Sequence, residues 1–143
     1  MRSLPALACA CALLLAACAA APQPDASADT APCSGGRQRM ARIELYFGLS
    51  RPGGTVSEQE FRGFVDAQVT TRFPDGLTLL SGSGQFRDAS GVLHVEGAKL
   101  LILLVASNDA QAGAKVDAIR DEYRRRFEQQ SVLRADGSAC VSF

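Results

Sequence analysis

The chain has 143 residues, with 15 Lys and Arg against 15 Asp and Glu, so it carries no formal net charge. A neutral chain lacks the electrostatic footprint for nucleic acid, which is therefore not an expected partner. The sequence has no Trp and only one His, which leaves few ways to build a metal or acid–base site; neither a metal nor another cofactor is expected.

Residues 1–17 begin Met1-Arg2 and continue as an apolar run from Leu4 to Ala17, broken by Pro5. A short positive end followed by such a core is the pattern of a secretory signal and is too short for a membrane span. The segment ends Leu15-Ala16-Ala17-Cys18, which resembles the bacterial lipoprotein box, so Cys18 is expected to be lipidated and to become the mature N-terminus. Two or three acyl chains make a stable anchor where one is marginal. Ala19 after the cysteine resembles the sorting pattern for the outer membrane, so in a cell with two membranes the protein is expected at the periplasmic face of the outer one. An ordinary signal peptide cut nearby is the plainer alternative, since Cys9 and Cys11 show that this segment uses cysteine freely. Residues 18–37 form the lipidated N-terminus and a linker rich in Ala, Pro, Ser and Gly, too poor in large apolar side chains for a core. A flexible tether of about 18 residues reaches about 20–25 Å. The rest, residues 38–143, is long enough for one core and too short for two.

Within that domain, Arg42 to Leu49 alternates, with Ile43, Leu45, Phe47 and Leu49 on one side and Glu44, Tyr46 and Gly48 on the other, as in a strand with one core face. Ser50 to Thr55, with Pro52-Gly53-Gly54, reads as a loop. Ser57 and Glu60 form a capping box, with Val56 and Phe61 at the staple positions, so a helix starts here and ends before Pro74-Asp75-Gly76. Its apolar stripe is Phe61, Phe64, Val65 and Phe73, continued through Gln68 and Val69. Leu77 to Arg87 and Val92 to Val105 read as a hairpin around Asp88-Ala89-Ser90-Gly91, with Gly97 marking a bulge or bend. Pairing Arg87 with Val92 sets Gln85 opposite His94 and Ser83 opposite Glu96, and turns Phe86, Leu93 and Val95 to the core. Parity then turns Leu101, Leu103 and Val105 inward and Leu100, Ile102 and Leu104 outward, an assignment that a bulge at Gly97 would reverse.

Six apolar residues follow Lys99 without a break, as in a strand buried on both faces near the middle of a sheet. Ser107-Asn108-Asp109 is the expected cap of a second helix, whose stripe is Ala112, Val116, Ile119, Tyr123 and Phe127. Its outer face offers Asp121–Arg125 and Glu122–Arg126 pairs at i,i+4. Ser131 to Phe143, with a turn over Ala135-Asp136-Gly137-Ser138, gives a final strand or a short strand pair.

The order is β-α-β-β-α-β, an α+β fold of the two-layer, ferredoxin-like kind: an antiparallel sheet with two helices on one face. In that topology the last strand lies antiparallel beside the first, and the third strand is central. Three of the five cysteines belong to the leader and anchor, leaving Cys33 just before the first strand and Cys140 near the end of the last. Antiparallel pairing brings those ends together, and an exported protein is in an oxidising compartment, so a Cys33–Cys140 disulfide is expected.

Tyr46-Phe47-Gly48-Leu49, Arg72-Phe73-Pro74-Asp75-Gly76-Leu77-Thr78, Gly84-Gln85 and Gln130-Ser131-Val132-Leu133-Arg134 together resemble domain-of-unknown-function family 3574, over most of residues 42–143. The resemblance implies a small bacterial domain, often exported, and brings no activity or catalytic residue with it.

Few chemical motifs are present. Gly82-Ser83-Gly84 lacks the Lys-Ser/Thr of a phosphate loop, there is no G-x-S-x-G or H-E-x-x-H, and Arg124-Arg125-Arg126 reads as a solvated helix face. The best candidate site is a polar patch near the hairpin: Gln85, Arg87, His94 and Glu96, with Tyr46 beside it and Lys99 at its edge. A His and a carboxylate two apart on a strand share a face and could do acid–base work, although a polar strand face beside solvent is also what any half-buried sheet presents. The leading expectation is a lipid-anchored envelope domain that is non-catalytic and binds a partner, itself first, through Leu100, Ile102 and Leu104. The alternative is a small-molecule-binding or enzymatic domain using the polar patch.

Overall fold

Strand alternation accounts for the first element. A computed structural model of the protein describes residues 32–88 and 90–143; the expected leader, Cys18 and most of the linker lie outside the described residues. Strand β1, Gln38–Gly48, buries Ile43, Leu45 and Phe47 and leaves Glu44 and Tyr46 on its other face. The segment read as a loop contains a small hairpin, β2 (Ser50–Arg51) and β3 (Gly54–Thr55), turned at Gly53 with φ 79°. Sequence gives little notice of two-residue strands, because alternation needs more than one period to show.

Helix α1, Glu58–Phe64, starts on the expected capping box: Glu60 N–H donates to Ser57 Oγ, and Ser57 N–H donates to the Glu60 carboxylate at 2.8 Å. Val56 and Phe61 are both buried. The helix then widens into a π-helix over Val65–Thr70. A π segment shifts the inward face by one residue, so Val69 and Phe73 enter the core while Gln68 stays half-buried.

Strands β4, Thr78–Arg87, and β5, Leu93–Ala106, form the hairpin, but its register differs by one residue from expectation. Arg87 pairs with Leu93, Phe86 with His94, Gln85 with Val95 and Gly84 with Glu96. Because side chains alternate with period two, a one-residue slip reverses the faces of one strand relative to the other. Phe86 therefore lies beside His94 and away from the helices. Leu93 and Val95 point to the helical side but remain 49% and 67% exposed, because the hairpin projects beyond the core. Pairing of β5 with β4 is continuous through Gly97, and pairing with β1 is unbroken from Ala98 to Ala106, so β5 has no bulge there, and Leu100, Ile102 and Leu104 do face outward. Gly97 has a packing reason instead: a Cβ there would lie 3.2 Å from the Leu49 side chain.

Helix α2, Ala112–Phe127, buries all five residues of the expected stripe. Its start is later than Ser107-Asn108-Asp109 suggests: the Asp109 carboxylate accepts from Gln111 N–H at 2.9 Å, and no side chain caps the helix at Gln111 itself. Its surface ion pairs run at i,i+3, Asp121 to Arg124 and Glu122 to Arg125, in place of the i,i+4 pairs. Strand β6, Leu133–Val141, is a single strand, and Ala135 to Ser138 pair with Glu44 to Ala41 instead of turning.

The architecture is mixed α/β: a four-stranded antiparallel sheet in the order β4-β5-β1-β6, two helices, and the separate β2-β3 hairpin. Residues from both helices join Ile43, Leu45, Phe47, Leu101 and Leu103 in one core. At its centre Tyr123 lies 4.6 Å from Phe47 and 5.1 Å from Phe64 by ring centroids, edge to face, and such contacts contribute about 0.5–1.5 kcal/mol each beyond burial. The Tyr123 hydroxyl donates to Gly48 O at 2.8 Å, which satisfies the one polar atom of that ring, and burial raises its pKa well above the ordinary phenol value. The expected disulfide is present: Cys33 and Cys140 are bonded, with Cα atoms 5.6 Å apart. The run after Lys99 is fully buried on one face only. Leu101 and Leu103 are in the core, whereas Leu100, Ile102 and Leu104 are half-buried.

Candidate functional site

The hairpin end of the open sheet face carries a groove of about 510 Å³. β1 supplies Tyr46 and Gly48, β4 and β5 supply Phe86, His94 and Glu96, the β2-β3 hairpin supplies Arg51, the α2–β6 connection supplies Gln129, and β6 supplies Leu133. Register explains the grouping: Tyr46 opposes both Leu100 and Leu133, so it shares a face with His94 and Glu96, which stand on the same side of β5.

Tyr46, Glu96, His94 and Gln129 each have a structural partner. Tyr46 donates to Glu44 Oε2 at 2.5 Å, and Arg42 Nε donates to Glu44 Oε1 at 2.7 Å. Those bonds, Tyr46 first, hold the Glu44 carboxyl below its ordinary value; the same bond raises the Tyr46 phenol. Glu96 accepts from Ser50 N–H at 2.7 Å and lies over Gly48, where a Cβ would come within 2.6 Å of its carboxylate. Gly48 is thus the gap into which Glu96 folds. His94 stacks on Phe86 with centroids 5.0 Å apart, and its Nε2 hydrogen-bonds Asp88 at 2.7 Å. Asp88 is held far below the usual carboxylate range, by Ser90 first and His94 next. Gln129 donates to Ser50 O and ties the end of α2 to the β2-β3 hairpin.

Of the five residues expected in one patch, the structure gathers Tyr46, His94 and Glu96 on one face. Gln85 borders the groove, but its register position is on the opposite face of β4, and Arg87 lies outside, donating to Gly91 O across the hairpin loop at 2.6 Å. Lys99 is not at the edge of this patch; it is buried on the helical side. The acid–base pairing of His94 with Glu96 is not formed, because each is held by another group. Among the described residues no three His, Cys, Asp or Glu gather as metal ligands. Phe86, Arg51, Gln129 and Leu133 were missed in sequence: Phe86 through the register slip, the others because they come from loops and a separate strand.

The rings of Tyr46 and Phe86 line the groove beside the His94 and Glu96 side chains. Residues 42–143 match the model of a family described as a protein of unknown function, DUF3574. No curated protein matches the chain. Among solved structures, a phage SAM lyase in complex with S-methyl-5'-thioadenosine is 16% identical, with a TM-score of 0.57, over 71% of this chain and 90% of that one. The same kind of enzyme in its apo state is 19% identical, with a TM-score of 0.51, over 79% and 97%. CutA from Synechococcus elongatus is 12% identical, with a TM-score of 0.44, over 73% and 80%. The lyase likeness is one of fold.

Proposed function

This chain belongs to the DUF3574 family, and we propose that it is a lipid-anchored cell-envelope domain that acts by binding, first of all to a second copy of itself through the open sheet face. The observation that carries this reading is the apolar character of that face. Leu100, Ile102 and Leu104 on β5 stand with Leu80 on β4, Met40 on β1 and Leu133 on β6, and Leu80 and Leu133 are more than half exposed. Apolar surface of this extent on one side of a sheet marks an interaction site. A second copy is the occupant because the charges on the face complement themselves. Arg42 and Glu44, paired at 2.7 Å, sit side by side on β1 opposite Leu104 and Ile102. A two-fold axis through the face presents each Arg42 to the Glu44 of the other copy, as an isologous interface requires.

The remaining parts of the reading follow from sequence. Residues 1–17 direct export, Cys18 carries the lipid, and the linker holds the domain near the periplasmic face of the outer membrane. Two anchored copies meet at a raised effective concentration, which favours a modest interface. The finer fold assignment is ferredoxin-like, with the β2-β3 hairpin inserted between the first strand and the first helix; the strand order β4-β5-β1-β6 supports it.

Light scattering on the exported chain carrying Cys18→Ser, at micromolar concentration, tests self-association. Dimers that become monomers in Ile102→Lys support it; a strictly monomeric parent chain rejects it. The anchor has its own test: the Cys18→Ser chain should leave the membrane fraction and lose labelling by radioactive fatty acid. The groove walled by Phe86, Tyr46 and Leu133 supports a second reading, a small aromatic ligand held at Glu96 and His94. Loss of that ligand's binding in Phe86→Ala with the dimer intact would favour it.

A further inference from the structure

A second cleft, also about 510 Å³, lies on the opposite side of the sheet, between α1 with its π-helical continuation and the edge strand β4. It exists because the helical layer stops short of that strand: Leu79 points toward the helices yet stays 37% exposed. Apolar side chains line much of it, including Phe61, Val65, Phe73 and Leu79. Its polar centre is Lys99. The Lys99 side chain is 10% exposed, its ammonium lies 5.7 Å from the Phe61 ring centroid, and it donates to Glu58 Oε2 at 2.5 Å and Ser81 Oγ at 2.8 Å.

Two features make this more than a buried ion pair. An ammonium has three donors, and among the described residues Lys99 uses two, so one remains for a group in the cleft. Its charged partner is replaceable: Glu58 is 54% exposed and is shared with Arg62, which holds it at 3.0 Å. If another carboxylate reaches Lys99, Glu58 keeps a cation without moving off the helix. The wall carrying Val65, Asp66 and Thr70 is the π-helix, a rare geometry that recurs at functional sites.

We propose that this cleft binds a monocarboxylate with an apolar body, whose carboxylate takes Lys99 from Glu58 while the body lies along Phe61, Phe73 and Leu79. The exchange replaces one carboxylate by another on the same ammonium, so no charge is left buried alone. The apolar body supplies the gain, and the cleft volume lies within the range that holds ligands of that size.

Octanoate, titrated into the exported Cys18→Ser chain and followed by backbone amide shifts, tests this. Saturable shifts at Val65, Thr70, Leu79 and Ser81 are expected. Octanamide, the uncharged analogue, and the Lys99→Met chain should each bind about tenfold more weakly or worse. Glu58→Gln replaces an exposed side chain and leaves the core intact; it should bind several-fold more tightly, because the competing carboxylate is gone. Equal binding of octanamide, undiminished binding by folded Lys99→Met, weaker binding by Glu58→Gln, or shifts centred on Leu100 and Ile102 would each overturn the proposal. So would the absence of saturable shifts up to about 10 mM, near the weak end of measurable binding.

Discussion

The two faces of the sheet are built from the same strands and nearly the same residue types, yet they end in different states. On the helical face, Leu101 and Leu103 are fully buried beneath Phe61, Phe64, Ile119 and Phe127. On the other, Leu100, Ile102 and Leu104, each one residue away, are half-buried and meet no second layer among the described residues. Composition along β5 does not distinguish them. What distinguishes them is where the two amphipathic helices can reach. Connections from β1 to β4 and from β5 to β6 place both helices on one side, and among the described residues no further element covers the other. An apolar run in such a sheet therefore reports two things at once, a core and an apolar surface beside it.

Truncating each face in turn tests this difference most directly. Phe64→Ala removes a ring packed on Phe47 and Tyr123, and should destabilise the protein by about 3–5 kcal/mol in denaturant unfolding. Ile102→Ala, on the open face, should cost the monomer about 1 kcal/mol or less; a loss as large as that of Phe64→Ala would mean the open face is part of the core. Removing the clasp at the chain ends comes next. Cys33→Ser with Cys140→Ser should cost about 2–4 kcal/mol, a little under the chain-entropy value for a 107-residue separation. Ser57→Ala removes the acceptor for the Glu60 N–H and should cost about 1 kcal/mol, localised to α1 in hydrogen exchange.

The same cap gives a pH signature. Bonds from Ser57 and Arg51 lower the Glu60 pKa from 4.5 to about 2. Its folded value lies below its unfolded one, so its contribution is complete above pH 4.5 and is lost as pH falls toward 2. The stability of Glu60→Gln should accordingly fall less steeply over that window than that of the parent; identical acid limbs would assign the acid sensitivity to other carboxylates. Smallest of all, Glu128 ends α2 in the left-handed region with φ 53°, which a side chain disfavours. Glu128→Gly should raise the melting temperature slightly, through a gain of up to about 1 kcal/mol.

Much of the fold was legible from local chemistry. The capping box Ser57–Glu60, the stripe from Ala112 to Phe127 and the alternation of Ile43, Leu45 and Phe47 are encoded within a few residues of one another. The cysteine pair was legible because antiparallel pairing of the first and last strands leaves Cys33 and Cys140 close. The candidate site was less legible. Gln85 and Arg87 were placed beside His94 by assuming that Arg87 meets Val92; pairing with Leu93 sends them to the other face and brings Phe86 in. No residue near Asp88-Ala89-Ser90-Gly91 decides between those registers by itself, because both leave the hairpin projecting into solvent. The burial of Lys99 was hidden for a similar reason, since its partners Glu58 and Ser81 lie 41 and 18 residues away.

The long periodic elements, their order and the cysteine pairing are therefore written in the sequence alone, whereas the faces of the β5 leucines depended on whether Gly97 forms a bulge. Tertiary structure settled the hairpin register, the straight course of β5 through Gly97, the π-helical geometry that leaves Gln68 half-buried, the groove at Glu96 and the cleft around Lys99. The division has one physical cause. Caps, stripes and alternation depend on neighbours along the chain, whereas register and clefts depend on how far one layer extends over another, which no short stretch of residues contains.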